Sequence, residues 1–338
     1  MKKIVNDERM MLRVCDLYYN RDVSQSDIAR LMDLSRPTVA KLLQRARQKG
    51  IVKILICDPQ ERSHSQLERR LEKTFKLQEV IVVDTLEGSR QKDALGRAAA
   101  NYLKAILKDH YMIGVAMGTS LRYIAPYATR QFQGLTFVPL VGGGGEVDIT
   151  QNANNVVELL AKAFGGEGLH LYAPAMVSRR QTKRELLKEE SVRRVMDRYS
   201  HLDVVMVGIG TGDEQSTILK SGYYSEEMKE QLRGREICGD ICMRLFDKNG
   251  DLGVFAGNKQ VIGIEPGKFR HIPYAIGIAG GVYKAEAIRG AIRGRFINVL
   301  ITDEMCAEEL CRRQADWEEK AEPAKKGEEE CIPEKQEL

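Results

Sequence analysis

The chain has 338 residues, 43% hydrophobic and 30% charged, which suits a globular protein with a sizeable core and room for two domains. No apolar run reaches the ~18 residues of a spanning helix, and MKKIVNDERMM has lysines with no apolar stretch behind them, so neither a membrane span nor a signal peptide is expected. The net charge of +4 is unevenly spread: residues 1–55 hold 12 Lys/Arg against 6 Asp/Glu, and residues 316–338 hold 4 against 9.

Residues 7–20 predict a leading helix with Met10, Val14, Leu17 and Tyr18 on one stripe. SQSDIARLMDLSRPTVAKLLQRARQKG, residues 24–50, then predicts a helix-turn-helix. Ser24 caps a short helix, Asp27 takes the capping-box position, and Ile28, Ala29, Leu31 and Met32 form its buried side. Asp33 stands where the turn needs a residue that tolerates the left-handed conformation. Ser35 caps the second helix, with Pro37 in its first turn. Val39, Leu42, Leu43 and Ala46 point inward at helical spacing. The outer face carries cations, amides and a hydroxyl able to meet base edges and phosphates, which makes Ser35, Arg36, Thr38, Lys41, Gln44 and Arg45 candidate DNA contacts. A solvated hairpin with ordinary surface charges is the plainer alternative; SRPTV directly after a tight turn favours the DNA reading.

GIVKILI, residues 50–56, opens on a C-cap glycine and predicts a wing or closing strand, and Asp58-Pro59 marks a boundary. A helix over 65–75 follows, with Leu67, Leu71 and Phe75 apolar. Strands are then expected at 80–83, 112–117, 135–141, 169–173, 203–209, 241–246, 261–264, 274–279 and 297–301. Helices are expected at 92–107, 120–129, 156–164 (with Asn152 as cap), 183–199, 284–292 and 303–313. Alternating βα units predict a parallel, doubly wound α/β sheet. The last stretch, 316–338, lacks apolar periodicity and reads as a disordered charged tail. The expected domains are therefore 1–57, 58–315 and that tail.

Seven scattered cysteines and five histidines show no zinc-ligand spacing, so reduced thiols in a cytoplasmic protein, with no metal and no cofactor, are expected. In a doubly wound sheet, ligands bind outside the carboxyl ends of the strands. Three glycine-rich turns stand at expected strand ends: MGTSL (117–121), VGGGGEVD (141–148) and VGIGTGDEQST (207–217). None matches a Walker loop or a dinucleotide fingerprint. Backbone N–H groups at Gly118, with the Thr119 and Ser120 hydroxyls, make a phosphate cradle. Lys284, just past Gly280-Gly281, is placed to reach a phosphate bound there, and Asp240 to bond sugar hydroxyls. A solvated lysine and a turn aspartate are the plain alternatives.

With these residues in view, the chain resembles the SorC-type bacterial transcriptional regulators from about residue 8 to 313. The resemblance is carried by SRPTVAKLL, IGVAMGTSL, FVPLVGGGG, VVMVGIGTG, GDICMRLFDKNG and AGGVYKAEAIRGAIRGRFINVLITDE. It implies a winged helix-turn-helix domain joined to a Rossmann-like effector domain related to sugar-phosphate isomerases. It further implies a homo-oligomer, dimer or tetramer, a repressor whose grip on operator DNA is altered by a phosphorylated sugar. By match to the family's motifs, Gly118, Thr119 and Ser120 form the phosphate loop, and Gly142–Gly145 and Gly208–Gly212 form pocket turns, with Gly142, Gly143, Gly208 and Gly210 facing the effector. Asp240 is a pocket acid and Lys284 a phosphate-facing lysine. The chain departs from the family at Met117, often tryptophan, at Asp33, often glycine, and at Val141, where some relatives carry a lysine able to form an imine. No such imine is expected here.

The competing expectation is an enzyme, a sugar-phosphate isomerase or deaminase with an appended helix-turn-helix. It would draw its base and acid from Glu146, Asp148, Asp213 and Asp303, but these show no paired acid/base spacing. No catalytic residue is therefore expected.

Overall fold

The computed structural model describes residues 8–52, 64–143, 152–213, 216, 218, 224, 226–232 and 234–313. The expected strand segment 53–56, the Asp58-Pro59 boundary, Gly144, Gly145, Glu146, Asp148 and the tail 316–338 lie outside the described residues. The chain divides into two compact units, Met1–Ser63 and His64–Leu338.

Among the described residues the first unit is three α-helices on one small core. Helix α1 (Glu8–Cys15) runs into a π turn over Asp16–Asn20, and α2 (Gln25–Leu31) and α3 (Arg36–Gln48) follow. Ser24 Oγ accepts the Asp27 N–H at 3.2 Å and donates to the Asp27 carboxylate at 2.6 Å, so one serine both starts α2 and ties down its first turn. The chain turns at Asp33, whose φ of 53° is the left-handed conformation its short polar side chain tolerates. Met11, Val14, Ile28, Val39, Leu42 and Ala46 are fully buried together. Leu31 is a correction: it is 70% exposed. At 100° per residue the inward arc of α2 spans Ile28, Met32 and Ala29, and Leu31 falls about 60° outside it.

The second unit opens with helix α4 (Ser65–Phe75) and is built on a seven-stranded parallel sheet. Its strands are β1 (Glu79–Val83), β2 (Met112–Val115), β3 (Thr136–Pro139), β4 (Glu167–Gly168), β5 (Val204–Gly208), β9 (Tyr274–Ile278) and β10 (Val299–Asp303), in the order β1-β10-β9-β5-β2-β3-β4. A small antiparallel sheet of β6 (Gly210–Thr211), β7 (Gly239–Ile241) and β8 (Arg244–Phe246) stands beside it. From β2 the chain moves towards β3 and β4, and from β5 it moves the opposite way, towards β9 and β10. Right-handed crossovers in opposite directions place their helices on opposite faces. Accordingly α5 (Gly88–Ile106) and α6 (Ala153–Phe164) both pack on the 3₁₀ helix Leu121–Tyr127. The direction of winding reverses between β2 and β5, which opens a crevice above their carboxyl ends.

Three expected strands differ. The strand at 169–173 does not form, because pairing ends at Gly168 and the Asn154 side chain then takes the Leu171 N–H at 2.9 Å and its carbonyl at 3.3 Å. The strand at 261–264 is reduced to two isolated bridges; the buried Arg244 guanidinium bonds the Gly263 carbonyl at 3.2 Å where a neighbouring strand would. The single strand expected over 241–246 is a hairpin that turns at Cys242 and Met243, with φ of 47° and 61°. The long helix expected at 183–199 is also broken, into α7 (Arg180–Leu186) and α8 (Glu190–Asp197). The two pieces serve different surfaces, since Lys183 Nζ bonds the Lys259 carbonyl at 3.1 Å while Val192 and Val195 of α8 are buried.

Candidate functional site

The crevice above β2 and β5 holds a cavity of about 250 Å³. After β2 its wall is Met117, Gly118, Thr119, Ser120 and Leu121, and after β5 it is Gly208, Ile209, Gly210 and Thr211. The β7–β8 hairpin adds Asp240, Cys242 and Met243, and the turn after β9 adds Tyr283 and Lys284. Lys92, from the first turns of α5, completes the cationic side.

Two glycines here answer to specific demands. Gly118 has φ of 147°, and a Cβ there would meet nothing within 4 Å, so backbone conformation, not crowding, calls for glycine. Gly210 pairs with Asp240 in register, and a Cβ on it would strike the Asp240 carboxylate. Leaving out that one carbon lets the carboxylate lie on the β6 backbone.

The charged groups perturb one another. Burial pushes the Asp240 carboxyl up to about 7, opposed by the Lys284 charge. Burial holds the Lys284 ammonium below the ordinary lysine value; Asp240 works against this and the neighbouring Lys92 charge adds to it. Ser216, 2% exposed, lines the same cavity, and its hydroxyl has no hydrogen-bond partner among the described residues. An orphaned buried hydroxyl at a cavity wall is a group a polar ligand would satisfy. Burial also raises the Cys242 thiol to about 12, so it is an inert part of the wall.

Of the residues expected from sequence, Gly118, Thr119, Ser120, Gly208, Gly210, Asp240 and Lys284 come together at this cavity. Gly142 and Gly143 are not among the lining residues of this cavity. Gly142 donates to the Ile262 carbonyl at 2.9 Å, and a Cβ on it would strike the Pro174 and Ala173 carbonyls. Gly143 donates to the Ala173 carbonyl at 3.0 Å, and a Cβ there would strike the Asn152 amide. Close backbone packing accounts for both. Gly212 likewise packs against Ile237. Sequence patterns do not reveal Lys92, Ser216, Tyr283 or the Cys242-Met243 turn, since nothing local sets them apart from surface or core residues.

Of the carboxylates considered for an enzyme, the two among the described residues are otherwise engaged. Asp303 is fully buried and accepts hydrogen bonds from Gln91, Thr85, Gly281 and Cys306, while Asp213 accepts the Thr211 hydroxyl at 2.8 Å. Among the described residues no group of three or more His, Cys, Asp or Glu is placed to hold a metal ion. No described helix is long and apolar enough to cross a membrane.

In the first unit, Arg36, Lys41, Gln44 and Arg45 stand exposed on α3, opposite the buried Val39, Leu42, Leu43 and Ala46. Thr38 is half-buried, and its N–H donates to Ser35 Oγ at 3.3 Å, with the two hydroxyls 2.8 Å apart. Ser35 is thereby committed to capping, which places it at the edge of the exposed face. Arg47 is bonded to the Tyr19 hydroxyl at 3.0 Å and belongs to the packing of the unit.

Known proteins resemble this chain over most of its length. The profile of the Sugar-bind family, a sugar-binding domain, matches residues 60–312. The deoxyribonucleoside regulator of Bacillus subtilis is 32% identical over 306 residues, covering 90% of this chain and 97% of that protein. The sorbitol operon regulator of Klebsiella pneumoniae is 30% identical over 312 residues, covering 91% and 99%. The crystal structure of full-length SorC from Klebsiella pneumoniae superposes with a TM-score of 0.68 at 30% identity, covering 90% of this chain and 99% of that one.

Proposed function

The chain belongs to the SorC-type family of sugar-binding transcriptional regulators, and from that premise we propose that it grips operator DNA through α3 and answers to a phosphorylated sugar bound above β2 and β5. The observation that carries this reading is the joining, in one 250 Å³ cavity, of a glycine–hydroxyl loop, two lysines, a half-buried carboxylate and a serine hydroxyl with no hydrogen-bond partner among the described residues. The N–H groups of Gly118 to Ser120 with the Thr119 and Ser120 hydroxyls supply donors for phosphate oxygens, and Lys92 and Lys284 supply charge. Asp240 accepts from sugar hydroxyls, and Ser216 gives or accepts one more bond. The paired lysines repel each other when the cavity is empty, so an anion between them removes an existing repulsion.

The amino-terminal unit is a helix-turn-helix with α3 as recognition helix. Lys41 and Arg45 meet phosphates, and Arg36, Gln44 and Thr38 read base edges, with Ser35 at the helix start beside the backbone. Residues 1–57 form this DNA-binding domain, and 58–315 form the effector and assembly domain. The protein acts as a homo-oligomeric repressor whose two recognition helices lie about one DNA turn apart, or a multiple of it, on a nearly palindromic operator. The effector changes DNA affinity by favouring one arrangement of subunits, and only by as much as it discriminates between arrangements. The test is a mobility-shift titration on DNA upstream of the operon that encodes the protein, with and without a panel of sugar phosphates. Release of DNA by a phosphorylated sugar and not by its unphosphorylated parent supports the reading. Binding to that DNA that no sugar phosphate alters counts against it.

A further inference from the structure

Asp303 ends β10 fully buried, and four donors converge on its carboxylate. Oδ1 accepts the Thr85 hydroxyl at 3.3 Å and the Cys306 N–H at 3.1 Å. Oδ2 accepts the Gln91 amide at 2.8 Å and the Gly281 N–H. Starting the helix at 304–313 requires only the Cys306 bond. The two bonds to Oδ2 do something else. Gln91 immediately precedes Lys92 in α5, and Gly281 opens the turn that ends in Lys284, whose own N–H donates to the Gly281 carbonyl at 2.9 Å. One oxygen therefore fixes the two backbone segments that deliver the two cavity lysines.

The local sequence is shaped to that oxygen. A Cβ on Gly280 would collide with Asp303 Oδ2, and Gly281 has φ of 103°, so Gly280-Gly281 is the dipeptide that lets the turn wrap onto the carboxylate. Asp303 is not itself among the cavity's lining residues. The two ammonium groups it places repel each other, and the Lys92 charge lowers the Lys284 titration. Holding the two backbone segments sets where both lysine stems begin.

We propose that Asp303 is the positioning residue of this cavity, holding Lys92 and Lys284 side by side for an anionic ligand without touching that ligand. The proposal rests on the reading of the cavity as an effector site.

The experiment uses the full chain with its lysines ¹³C-methylated, and NMR follows the titration of Lys284 with inorganic phosphate as the probe. In the wild type, Lys284 titrates below an ordinary lysine and phosphate raises its midpoint. Asp303→Asn turns an amide N–H₂ or a single acceptor towards donors that need two acceptors. Because Asp303→Asn also removes a negative charge, which by itself lowers a lysine midpoint, the midpoint is read in Gln91→Ala, which removes one of the four bonds and keeps the carboxylate. With Lys92 released, Lys284 in Gln91→Ala is expected to titrate higher than in the wild type, by up to roughly one pH unit. Asp303→Asn is expected to weaken phosphate about tenfold, the scale on which a misplaced supporting group is felt. Asp203→Asn is the control, since that carboxylate accepts the Met112 N–H at 2.8 Å beneath the opposite end of β2; it is expected to leave both quantities unchanged. The proposal is overturned if Gln91→Ala titrates as the wild type and Asp303→Asn binds phosphate as the wild type, or if Asp203→Asn weakens phosphate as far as Asp303→Asn does. If phosphate perturbs neither lysine in the wild type while Gln91→Ala still raises the midpoint, the positioning role stands and the effector reading falls.

Discussion

The Asp240 carboxylate occupies the space in which a side chain on Gly210 would stand, its cross-strand partner in the small sheet. That contact joins the loop after β5 to the β7–β8 hairpin, and it puts a half-buried acid opposite the Lys284 ammonium. Gly210→Ala should therefore push the carboxylate off the β6 backbone and open the pocket wall. Overpacking of this kind costs about 1–3 kcal/mol, read as a fall of several degrees in Tm, and effector affinity should drop by at least about tenfold. Calorimetric titration of the folded variant with the cognate sugar phosphate checks the second part. Unchanged affinity would mean that Asp240 does not meet the ligand.

Asp240 also sets a pH dependence. An unfolded aspartate titrates near 3.9, whereas Asp240 titrates at about 7 because burial disfavours its charge. The folded chain thus binds this proton more tightly than the unfolded chain. The associated stability is fully present below pH 4 and is lost as pH rises through 7. Asp240→Asn removes this loss, so the ligand-free Tm of the variant minus that of the wild type should grow between pH 4 and pH 7.5. A constant difference across that range would contradict the buried-acid assignment.

On α3, Lys41→Ala and Arg45→Ala should weaken operator binding and reduce the salt slope of log K by about 0.9 for each phosphate that is no longer neutralised. Effector binding should be unaffected, since it belongs to the other unit. Parallel measurement of DNA affinity at several salt concentrations and of effector affinity by calorimetry separates the two. Equal loss of both activities would show that the variants damage folding instead.

The cysteine thiols give a simple check on the interior. Burial raises Cys238, Cys242 and Cys306 to about 12, so thiolate is scarce at pH 8. Iodoacetamide should modify these three far more slowly in the native chain than in denaturant, as read by peptide mass spectrometry. Rapid native labelling of Cys242 would mean that the hairpin wall of the cavity opens readily.

Much of this arrangement is readable from residue patterns. Ser24, Asp33, Ser35 and Gly50 mark the turns and caps of the first unit by their chemistry, and the inward stripe of α3 is regular. Buried runs such as Val204–Val207 and Val299–Ile301 mark central strands. The glycine loops at 117–121 and 207–212 mark strand ends where ligands gather. What escapes has identifiable causes. The Cys242-Met243 turn adopts φ values that usually call for Asn-Gly, so its residues read as continuous strand. Asn154 and Arg244 satisfy the backbones at Leu171 and Gly263 with side chains, and no period in sequence announces that substitution. Gly142 and Gly143 look in sequence like the glycines that line the cavity, but only the fold shows the Ala173 and Pro174 carbonyls and the Asn152 side chain pressed against them. Lys92 and Ser216 reach the cavity from elements far apart in the chain, and nothing in either neighbourhood distinguishes them.

Thr119→Val and Lys284→Ala should each abolish the response to effector while operator binding survives. Thr119→Val keeps the shape of the loop and deletes a donor, whereas Lys284→Ala deletes a charge. Mobility shifts with and without sugar phosphate measure both properties on the same sample. A normal response from either variant would place the phosphate elsewhere.

The most direct test of the central claim, that the β2/β5 cavity receives a phosphorylated sugar, is a thermal-shift titration. The wild type, Thr119→Val and Lys284→Ala would be measured against sugar phosphates and their unphosphorylated parents. Ligand that binds only the native state raises Tm in proportion to the logarithm of its concentration. The account predicts a phosphate-dependent rise in the wild type, lost in both variants, with the ligand recovered unchanged. A rise that persists in both variants, a rise equal for the unphosphorylated parent, or conversion of the ligand to product would contradict it.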